Sequence, residues 1–349
     1  MGELLINGHF LNQKLTGVQR YAREVLRGFD RAGYAYRVLE PEDYWSSNKI
    51  SRNLWQQLVL PREMGDRDVL WSPANSGPIG ARNHYITLHD IAVFPHPEWF
   101  SSSYATWKRI LIPRIARRAR GILTVSEFSK SIICAHLDVA PHSVKVVYNG
   151  VDTDRFTPAP ESAIQRVRNK YNLHSNYLLT LGSLDPRKNF GRTIQAWKRC
   201  KDQEGLENFV LAVAGGSNAN FSRLDLDFTD DETRLLGYVA EEDLPALYSG
   251  AYAFLLPSLF EGFGLPVIES MACGTPVITS NTTALDEVSG DAALKVNPSD
   301  TQAIREGIMT LVNSPNLRIR LTELGRERAR HFTWDKAAHS IYQYLWEAD

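Results

Sequence analysis

The chain has 349 residues, of which 43% are hydrophobic, and its 39 basic and 40 acidic side chains nearly cancel. This length suits two domains of ordinary size, and the near-zero charge argues against a nucleic-acid binder, which would usually be basic overall. The three cysteines, Cys134, Cys200 and Cys273, lack the spacing of a zinc site or a disulfide framework. The N-terminus lacks the basic lead and apolar run of a signal peptide, and no stretch approaches the ~20 apolar residues that span a bilayer. We therefore expect a cytoplasmic protein, or one that is peripheral on a membrane.

Short apolar runs alternate with helical patterns along the whole chain, which indicates parallel sheets with helices on both faces. The first half has six strand candidates, at residues 3–7, 36–40, 69–72, 85–88, 121–125 and 144–148. The second half has six more, at residues 177–181, 209–214, 233–236, 253–256, 276–280 and 292–296. Two such series predict an α/β chain of two Rossmann-like, doubly wound domains that face each other across a cleft. Turn formers at residues 153–160 predict a boundary between an N-terminal domain, residues 1–158, and a C-terminal domain, residues 159–332.

The first helix candidate opens with Leu-Thr-Gly-Val-Gln-Arg at residues 15–20, where Thr16 and Gln19 have the spacing of a capping box. The glycine at this helix start, Gly17, exposes backbone N–H groups that suit a phosphate. The alternative is an ordinary capped helix that binds no ligand.

The strand candidate at residues 85–88 is followed directly by His89 and Asp90. At the carboxyl end of a strand this pair would face the expected cleft, where a histidine and an acid can serve catalysis or hold a substrate. The alternative is a structural hydrogen bond.

The segment from Trp107 to Arg120 alternates cations with isoleucine and leucine. A basic amphipathic segment of this kind can lie on an anionic membrane surface, so we expect peripheral membrane contact here. The alternative is a helix that packs on the sheet and leaves a solvated basic face.

Two cations, Arg187 and Lys188, follow the first strand of the C-terminal domain in the loop Gly-Ser-Leu-Asp-Pro-Arg-Lys-Asn. Cations that follow a strand end are well placed to neutralise a diphosphate. The alternative is a solvated turn, because Arg-Lys pairs are common on protein surfaces.

Two glutamates, Glu261 and Glu269, lie on either side of the glycine-rich turn that follows the strand at residues 253–256. We expect a short helix at residues 266–273, ended by Gly274, which places Glu261 in the loop and Glu269 in the first helical turn. Carboxylates accept hydrogen bonds from paired hydroxyls, which sugars and riboses both offer. The segment therefore suits a sugar nucleotide, with one acid for the sugar and one for the ribose.

This Glu-x7-Glu pattern stands inside a Glu-Gly-Phe-Gly-Leu-Pro turn and continues as Glu-Ser-Met-Ala-Cys-Gly-Thr-Pro-Val. The whole resembles the retaining glycosyltransferases of family 4, which have the GT-B architecture, and the resemblance covers nearly all of the chain. It implies that the N-terminal domain binds the acceptor and the C-terminal domain the nucleotide-sugar donor. It also implies that the last helix, about residues 333–349, crosses back onto the N-terminal domain.

The resemblance assigns roles to individual residues. Arg187, Lys188 and Glu261 would be catalytic, with His89 and Asp90 near the reacting sugar, and Glu269 would hold the ribose. Further donor contacts would come from Gly17, Gly182, Ser183, Gly237, Tyr238, Val239, Gly262, Phe263, Gly264 and Leu265. The chain departs from the family at Thr16, where the loop usually has a second glycine. It departs again at Ser183, where some members carry an arginine.

The resemblance further implies a front-side substitution with no metal and no cofactor. Asp225 and Asp227 could be ligands of a metal ion, because paired aspartates bind such ions through oxygen. They lie in an acidic connection, residues 224–232, which favours a solvated loop instead. We expect GDP-mannose as the donor, with rhamnosyl or glucosyl transfer as alternatives, and a saccharide or lipid-linked saccharide of O-antigen or exopolysaccharide assembly as the acceptor. Two remoter alternatives are a sugar-nucleotide epimerase, which shares the two-domain fold, and a catalytically silent nucleotide-binding subunit.

Overall fold

A computed structural model describes residues 2–11, 16–42, 45, 48–201, 206–216 and 232–347. The chain divides into two compact units. The first unit comprises Met1–Pro97, Ser102–Gly150 and Thr333–Asp349, and the second comprises Glu98–Ser101 and Val151–Phe332.

The first unit contains a six-stranded sheet in which every neighbouring pair is parallel. Its strands are β1 Leu4–Asn7, β2 Arg37–Leu39, β3 Val69–Ser72, β4 His84–Thr87, β5 Gly121–Thr124 and β6 Val144–Val146. Its helices are α1 Gly17–Ala32, α2 Lys49–Leu54, α3 Ser102–Ala116, α4 Glu127–Leu137 and α12 Trp334–Glu347. The strand order is β2-β1-β3-β4-β5-β6, so the order reverses between β1 and β3. Ligands of doubly wound sheets bind beyond the carboxyl ends of the strands at such a reversal.

Helix α1 begins as the capping-box spacing predicts, because the backbone N–H of Thr16 donates to the side-chain oxygen of Gln19 at 3.2 Å. The C-terminal helix α12 packs along α1. A Cβ atom at Gly28 would lie 2.5 Å from the Cβ of Ala338, so only glycine allows the two helices to approach this closely.

The second unit contains another six-stranded parallel sheet, in the order β12-β11-β10-β7-β8-β9. Its strands are β7 Asn176–Leu181, β8 Phe209–Ala214, β9 Thr233–Gly237, β10 Ala253–Leu256, β11 Val277–Ser280 and β12 Ala293–Val296. Its helices are α5 Glu161–Lys170, α6 Phe190–Lys201, α7 Leu244–Ser249, α8 Leu265–Ala272, α9 Thr283–Ser289, α10 Thr301–Val312 and α11 Pro315–Arg330. The order reverses between β7 and β10. The two doubly wound parallel sheets confirm the predicted fold class, and each of the twelve predicted strands is present.

The core of the second unit lies between its sheet and two helices. Leu211 and Val213 on β8 share one buried cluster with Trp197 on α6 and Ile308 on α10. Residues two apart on a strand point to the same face, so this cluster covers one side of the sheet. The strands read as continuous apolar runs because strands of parallel sheets are buried on both faces.

Three histidines are buried in the first unit. His84 on β4 pairs with the hydroxyl of Ser72 at 2.8 Å, and burial lowers its pKa from 6.5 to about 3. Burial likewise lowers the pKa of His89 to about 4, against the opposing effects of the Pro73 carbonyl and Asp90. Burial and the positive charges of Arg52 and Lys108 lower the pKa of His9 to about 4. All three are therefore neutral in the folded protein at neutral pH.

Because these three histidines are buried and neutral, we expect the free energy of unfolding to fall on mild acidification. Their folded pKa values lie below the unfolded value of about 6.5, so the unfolded chain binds more protons as the pH falls from about 6.5 towards 4. Each group then costs on the order of 1.4 kcal/mol of unfolding free energy per pH unit. The unfolding free energy, measured with urea across this window, should fall less steeply with decreasing pH for H84Q than for the wild type, by about one proton. H142Q, which replaces an exposed histidine, controls for the substitution itself. Equal slopes for H84Q and the wild type would contradict the assignment.

Candidate functional site

The candidate site lies in the second unit, at the point where the strand order reverses. β7 pairs directly with β10, with Leu178 opposite Ala253 and Leu179 opposite Phe254. Because both strands run in the same direction, the loops that follow them emerge side by side. The predicted cation loop, residues 182–189, and the predicted glutamate loop, residues 257–264, are these two loops. The topology therefore brings Arg187, Lys188 and Glu261 together.

A buried ion pair joins the two loops. The ammonium of Lys188 donates to Oε1 of Glu261 at 2.5 Å, and each side chain is only 11% exposed. The hydroxyl of Ser258 donates to the same oxygen at 3.0 Å. Opposite charges removed from water attract each other strongly. The pair therefore fixes the Lys188 ammonium and the Glu261 carboxylate beside each other.

Arg187 differs from its neighbour Lys188 because a buried carboxylate holds it. Its guanidinium donates to both oxygens of Asp185, from Nε at 3.0 Å and from Nη2 at 3.3 Å. Burial alone would raise the pKa of Asp185, but the Arg187 charge, aided by the hydroxyl of Ser183, keeps that pKa below its usual range. Part of the Arg187 charge is therefore balanced within its own loop, whereas Lys188 reaches across to the next one.

Asn189 ties the same loops through its backbone and side chain. It adopts a left-handed conformation, with φ of 59°, which asparagine tolerates better than most residues. Its side-chain amide donates to the carbonyls of Pro257 at 2.9 Å and Pro298 at 2.7 Å. The backbone N–H of Leu259 also donates to the carbonyl of Arg187 at 2.7 Å. The loops after β7, β10 and β12 are thereby held in one arrangement.

Helix α8 carries the second glutamate and begins after a glycine that cannot be replaced. Gly264 has φ of 94°, and a Cβ atom there would lie 2.4 Å from the side chain of Leu285. The helix begins at Leu265, one residue earlier than predicted, and Glu269 is its fifth residue. Glu269 is 3% exposed, and its Oε2 accepts a hydrogen bond from the hydroxyl of Tyr248 at 3.1 Å.

The predicted nucleobase loop begins at the end of β9. Gly237 has φ of 65°, and its carbonyl accepts from the N–H of Gly215 at 2.8 Å. Tyr238 is 76% exposed, whereas Val239 is buried. The Gly215 backbone also passes close to Gly182, since a Cβ atom at Gly215 would lie 1.7 Å from the carbonyl oxygen of Gly182. Small residues thus keep the ends of β7, β8 and β9 close together.

The remaining donor-site candidates fall in the same two loops. The hydroxyl of Ser183 donates to Asp185 at 2.5 Å. Gly262 is buried, and the ring of Phe263 packs edge-on against Phe332 at 5.7 Å within the second unit. The backbone of residues 262–264 therefore forms the turn, while the Phe263 ring anchors it.

The candidates in the first unit lie apart from this site in the chain. Gly17 is exposed at the first position of α1, and its contact with a phosphate stays a prediction. His89 is buried, and its Nε2 lies 2.8 Å from the carbonyl of Pro73. A carbonyl only accepts, so Nε2 carries the hydrogen, and Nδ1 is the nitrogen left for other chemistry. Asp90 accepts from the N–H of Ala92 at 3.1 Å.

Sequence reasoning missed several residues of the site. Asp185 could have been found, since an aspartate before proline commonly caps a short helical turn, and here it caps residues 186–188. Phe100, whose ring lies 5.8 Å from the Arg187 guanidinium, and Trp99, edge-on to Phe260 at 6.4 Å, belong to the second unit although they are distant in sequence. No local pattern predicts such contacts.

The basic segment lies largely in helix α3, which packs on the sheet and leaves part of its surface exposed. In α3, Leu111, Ile112 and Ile115 are buried in a cluster with sheet residues, whereas Trp107 is 43% exposed and Ile110 is 47% exposed. Within the described ranges, every helix is too short or too polar to cross a bilayer. Peripheral contact stays a prediction.

The part of the chain that the structure describes contains no group of three or more His, Cys, Asp or Glu side chains arranged to hold a metal ion. The pair considered from the sequence, Asp225 and Asp227, lies outside the described residues.

Comparison with known proteins places both units in one enzyme class. Residues 162–328 match the family model described as Glycosyl transferases group 1, and residues 15–155 match Glycosyltransferase Family 4. The chain is 33% identical to O-antigen chain mannosyltransferase B of Escherichia coli, over 71% of this chain and 66% of that protein, which is just under two thirds of its length. It is 31% identical to O-antigen chain mannosyltransferase RfbU of Salmonella typhimurium, over 82% of this chain and 79% of that protein.

The fold is also found among solved structures. Sucrose-phosphate synthase from Thermosynechococcus elongatus superposes with a TM-score of 0.75 at 19% identity, and the match covers 100% of both chains. The two family models and the curated relatives show that the chain belongs to the family 4 glycosyltransferases, and its fold is the GT-B architecture.

Proposed function

We propose that the protein is a retaining glycosyltransferase that moves mannose from GDP-mannose to a saccharide or lipid-linked saccharide in cell-surface polysaccharide assembly. The observation that carries this proposal is the buried Lys188–Glu261 pair at the strand-order reversal of the second unit. The names of the two relatives support mannose as the sugar and O-antigen assembly as the process.

In this proposal each charged group meets one part of the donor. Lys188 contacts the diphosphate, Glu261 accepts hydrogen bonds from the sugar hydroxyls, and Glu269 accepts them from the ribose. The backbone N–H of Ser183 completes the phosphate contact, whereas that of Gly182 donates to the carbonyl of Ala214 at 3.0 Å. The loop at Tyr238 frames the base. Preorganised charges at a breaking bond are commonly the largest catalytic contribution, since they require no rearrangement as charge develops.

The reaction breaks the bond between the anomeric carbon and the donor phosphate oxygen, and that bond's electron pair leaves with the nucleoside diphosphate. The acceptor hydroxyl attacks the same face of the anomeric carbon, and its proton passes to the departing diphosphate. The configuration at the anomeric carbon is therefore retained. The positive charge of Lys188 takes the place that a metal ion would have in stabilising the diphosphate, so transfer needs no metal.

The geometry assigns unequal roles to the two cations of the loop, because Arg187 is bound to Asp185. We expect K188M to lower transfer by about 10²–10³-fold, since it removes a direct contact with the leaving group. R187M should lower transfer less than K188M does, while both variants should lower thermal stability, because each leaves a buried carboxylate without its cation. Initial rates and melting temperatures of both variants test this. A larger loss of activity in R187M than in K188M would contradict the assignment.

The donor is tested by nucleotide binding. Melting curves should shift further with GDP than with UDP, dTDP or ADP, because a ligand that binds only the folded state stabilises it by mass action. Incubation of GDP-mannose with a mannose-terminated acceptor should then give an α-linked product by NMR, at an unchanged rate in EDTA. Strongest binding of dTDP would support rhamnosyl transfer, and conversion of the donor without an acceptor would support an epimerase. No shift with any nucleotide would overturn the proposed function.

The mixed apolar and basic face of α3 supports contact with an anionic membrane, where lipid-linked acceptors would lie. The exposed side chains Trp107 and Ile110 would enter the interface, while Arg109 and Arg114, both exposed, would meet lipid headgroups.

Vesicle flotation tests this contact. The protein should float with vesicles that contain phosphatidylglycerol at low salt and much less with pure phosphatidylcholine. The double variant W107S/I110S should bind roughly ten- to a hundredfold more weakly, since fully burying one apolar side chain is worth ~1.5–3 kcal/mol and slightly less than half of each of these two is exposed. I319S, which removes one exposed apolar side chain from α11, is the control. Equal binding by the double variant and the control would refute membrane contact through α3.

A further inference from the structure

Glu269, the buried glutamate of α8, has a hydrogen-bond partner, Tyr248, that the fold itself holds in place. Tyr248 stands at the end of α7 and is fully buried, and its hydroxyl donates to Oε2 of Glu269 at 3.1 Å. A carboxylate taken out of water needs such donors, because burying it without hydrogen bonds is costly.

The ring of Tyr248 is held so that its hydroxyl has little freedom. Phe254 packs edge-on against it at 5.3 Å and Phe156 at 6.2 Å. The backbone carbonyl of Tyr248 accepts from the hydroxyl of Thr275 at 2.6 Å, just beyond the end of α8. Both the ring and the backbone of Tyr248 are therefore fixed relative to the helix that carries Glu269.

We infer that Tyr248 is a positioning residue for nucleotide recognition: it orients the Glu269 carboxylate so that this group accepts both hydroxyls of the donor ribose. The inference rests on the proposed function, in which Glu269 is the ribose ligand. A carboxylate can accept several hydrogen bonds, so Tyr248 and a diol can both donate to the Glu269 carboxylate. The tyrosine hydroxyl then acts only through Glu269 and does not touch the nucleotide.

The nucleotide itself offers a readout that a purely structural role would not change. The probes are GDP and 2′,3′-dideoxy-GDP, which lacks both ribose hydroxyls. By calorimetry, the wild type should bind GDP roughly tenfold or more tightly than the dideoxy compound. Y248F should lose most of this preference, with GDP binding about tenfold weaker and dideoxy-GDP binding changed less than about twofold. In transfer assays, KM for the donor should rise while kcat changes little, because the ribose contact is the same before and during bond breaking.

A matched control stands beside Tyr248 in the fold. The hydroxyl of Tyr177, on β7, donates to the carbonyl of Leu247 at 2.7 Å, so Y177F also deletes a buried tyrosine hydroxyl that contacts α7. Y177F does not remove a bond to Glu269 and should keep the wild-type preference for GDP.

Three results with the variants would overturn the inference. Y248F could bind GDP as the wild type does, or it could lose affinity for both probes equally. Y177F could also lose the preference for GDP to the same extent as Y248F, and either of these last two results would show a general loosening of α7. Equal binding of both probes by the wild type would remove the ribose role of Glu269, and with it this inference, but would leave the transferase proposal in place. Failure of the wild type to bind GDP would instead overturn the proposed donor together with the inference.

Discussion

The arrangement of the candidate site depends on one buried ion pair, between Lys188 and Glu261. The two residues are far apart in sequence, and their loops are neighbours only because β10 lies beside β7 in the sheet. An unpaired buried charge would be strongly destabilising, so each residue requires the other for the loops to keep this position. The backbone bond from Leu259 to Arg187 and the two bonds from Asn189 support the same junction. The pair is thus a structural link and a buried charge pair at the strand-order reversal.

The fold could be predicted from the sequence because parallel strands that are buried on both faces have an unmistakable composition. β8, Phe-Val-Leu-Ala-Val-Ala, and β10, Ala-Phe-Leu-Leu, are continuous apolar runs between turn formers, and both are present with the predicted bounds. The strand order was not predicted, because it depends on pairings between distant segments rather than on local pattern. β10 lies beside β7 although β8 and β9 come between them in the chain. For the same reason, the sequence does not predict that residues 98–101 belong to the second unit.

The candidate site was predictable at the level of residue types and less so at the level of pairing. A cation loop after one strand and a glutamate loop after another were each evident, but their direct contact through Lys188 and Glu261 was not. The sequence also predicted the same role, neutralisation of a diphosphate, for Arg187 and Lys188. Their side chains point to different partners because the short helical turn at residues 186–188, capped by Asp185, rotates successive residues away from each other. No sequence pattern singled out Tyr248, since its hydroxyl partner lies on another helix.

Under the proposed function, the same ion pair matches the charge that develops as the donor bond breaks. Cleavage places negative charge on the departing diphosphate and positive charge on the anomeric carbon of the sugar. Lys188 would stabilise the first and Glu261 the second, so a cation and an anion held 2.5 Å apart present a fixed dipole to the separating charges. Removing either partner would lose more than one contact, because the remaining charge would be buried alone and would drift from its place. Effects of K188M and E261Q on transfer should therefore be far from additive, since the two groups act as one unit.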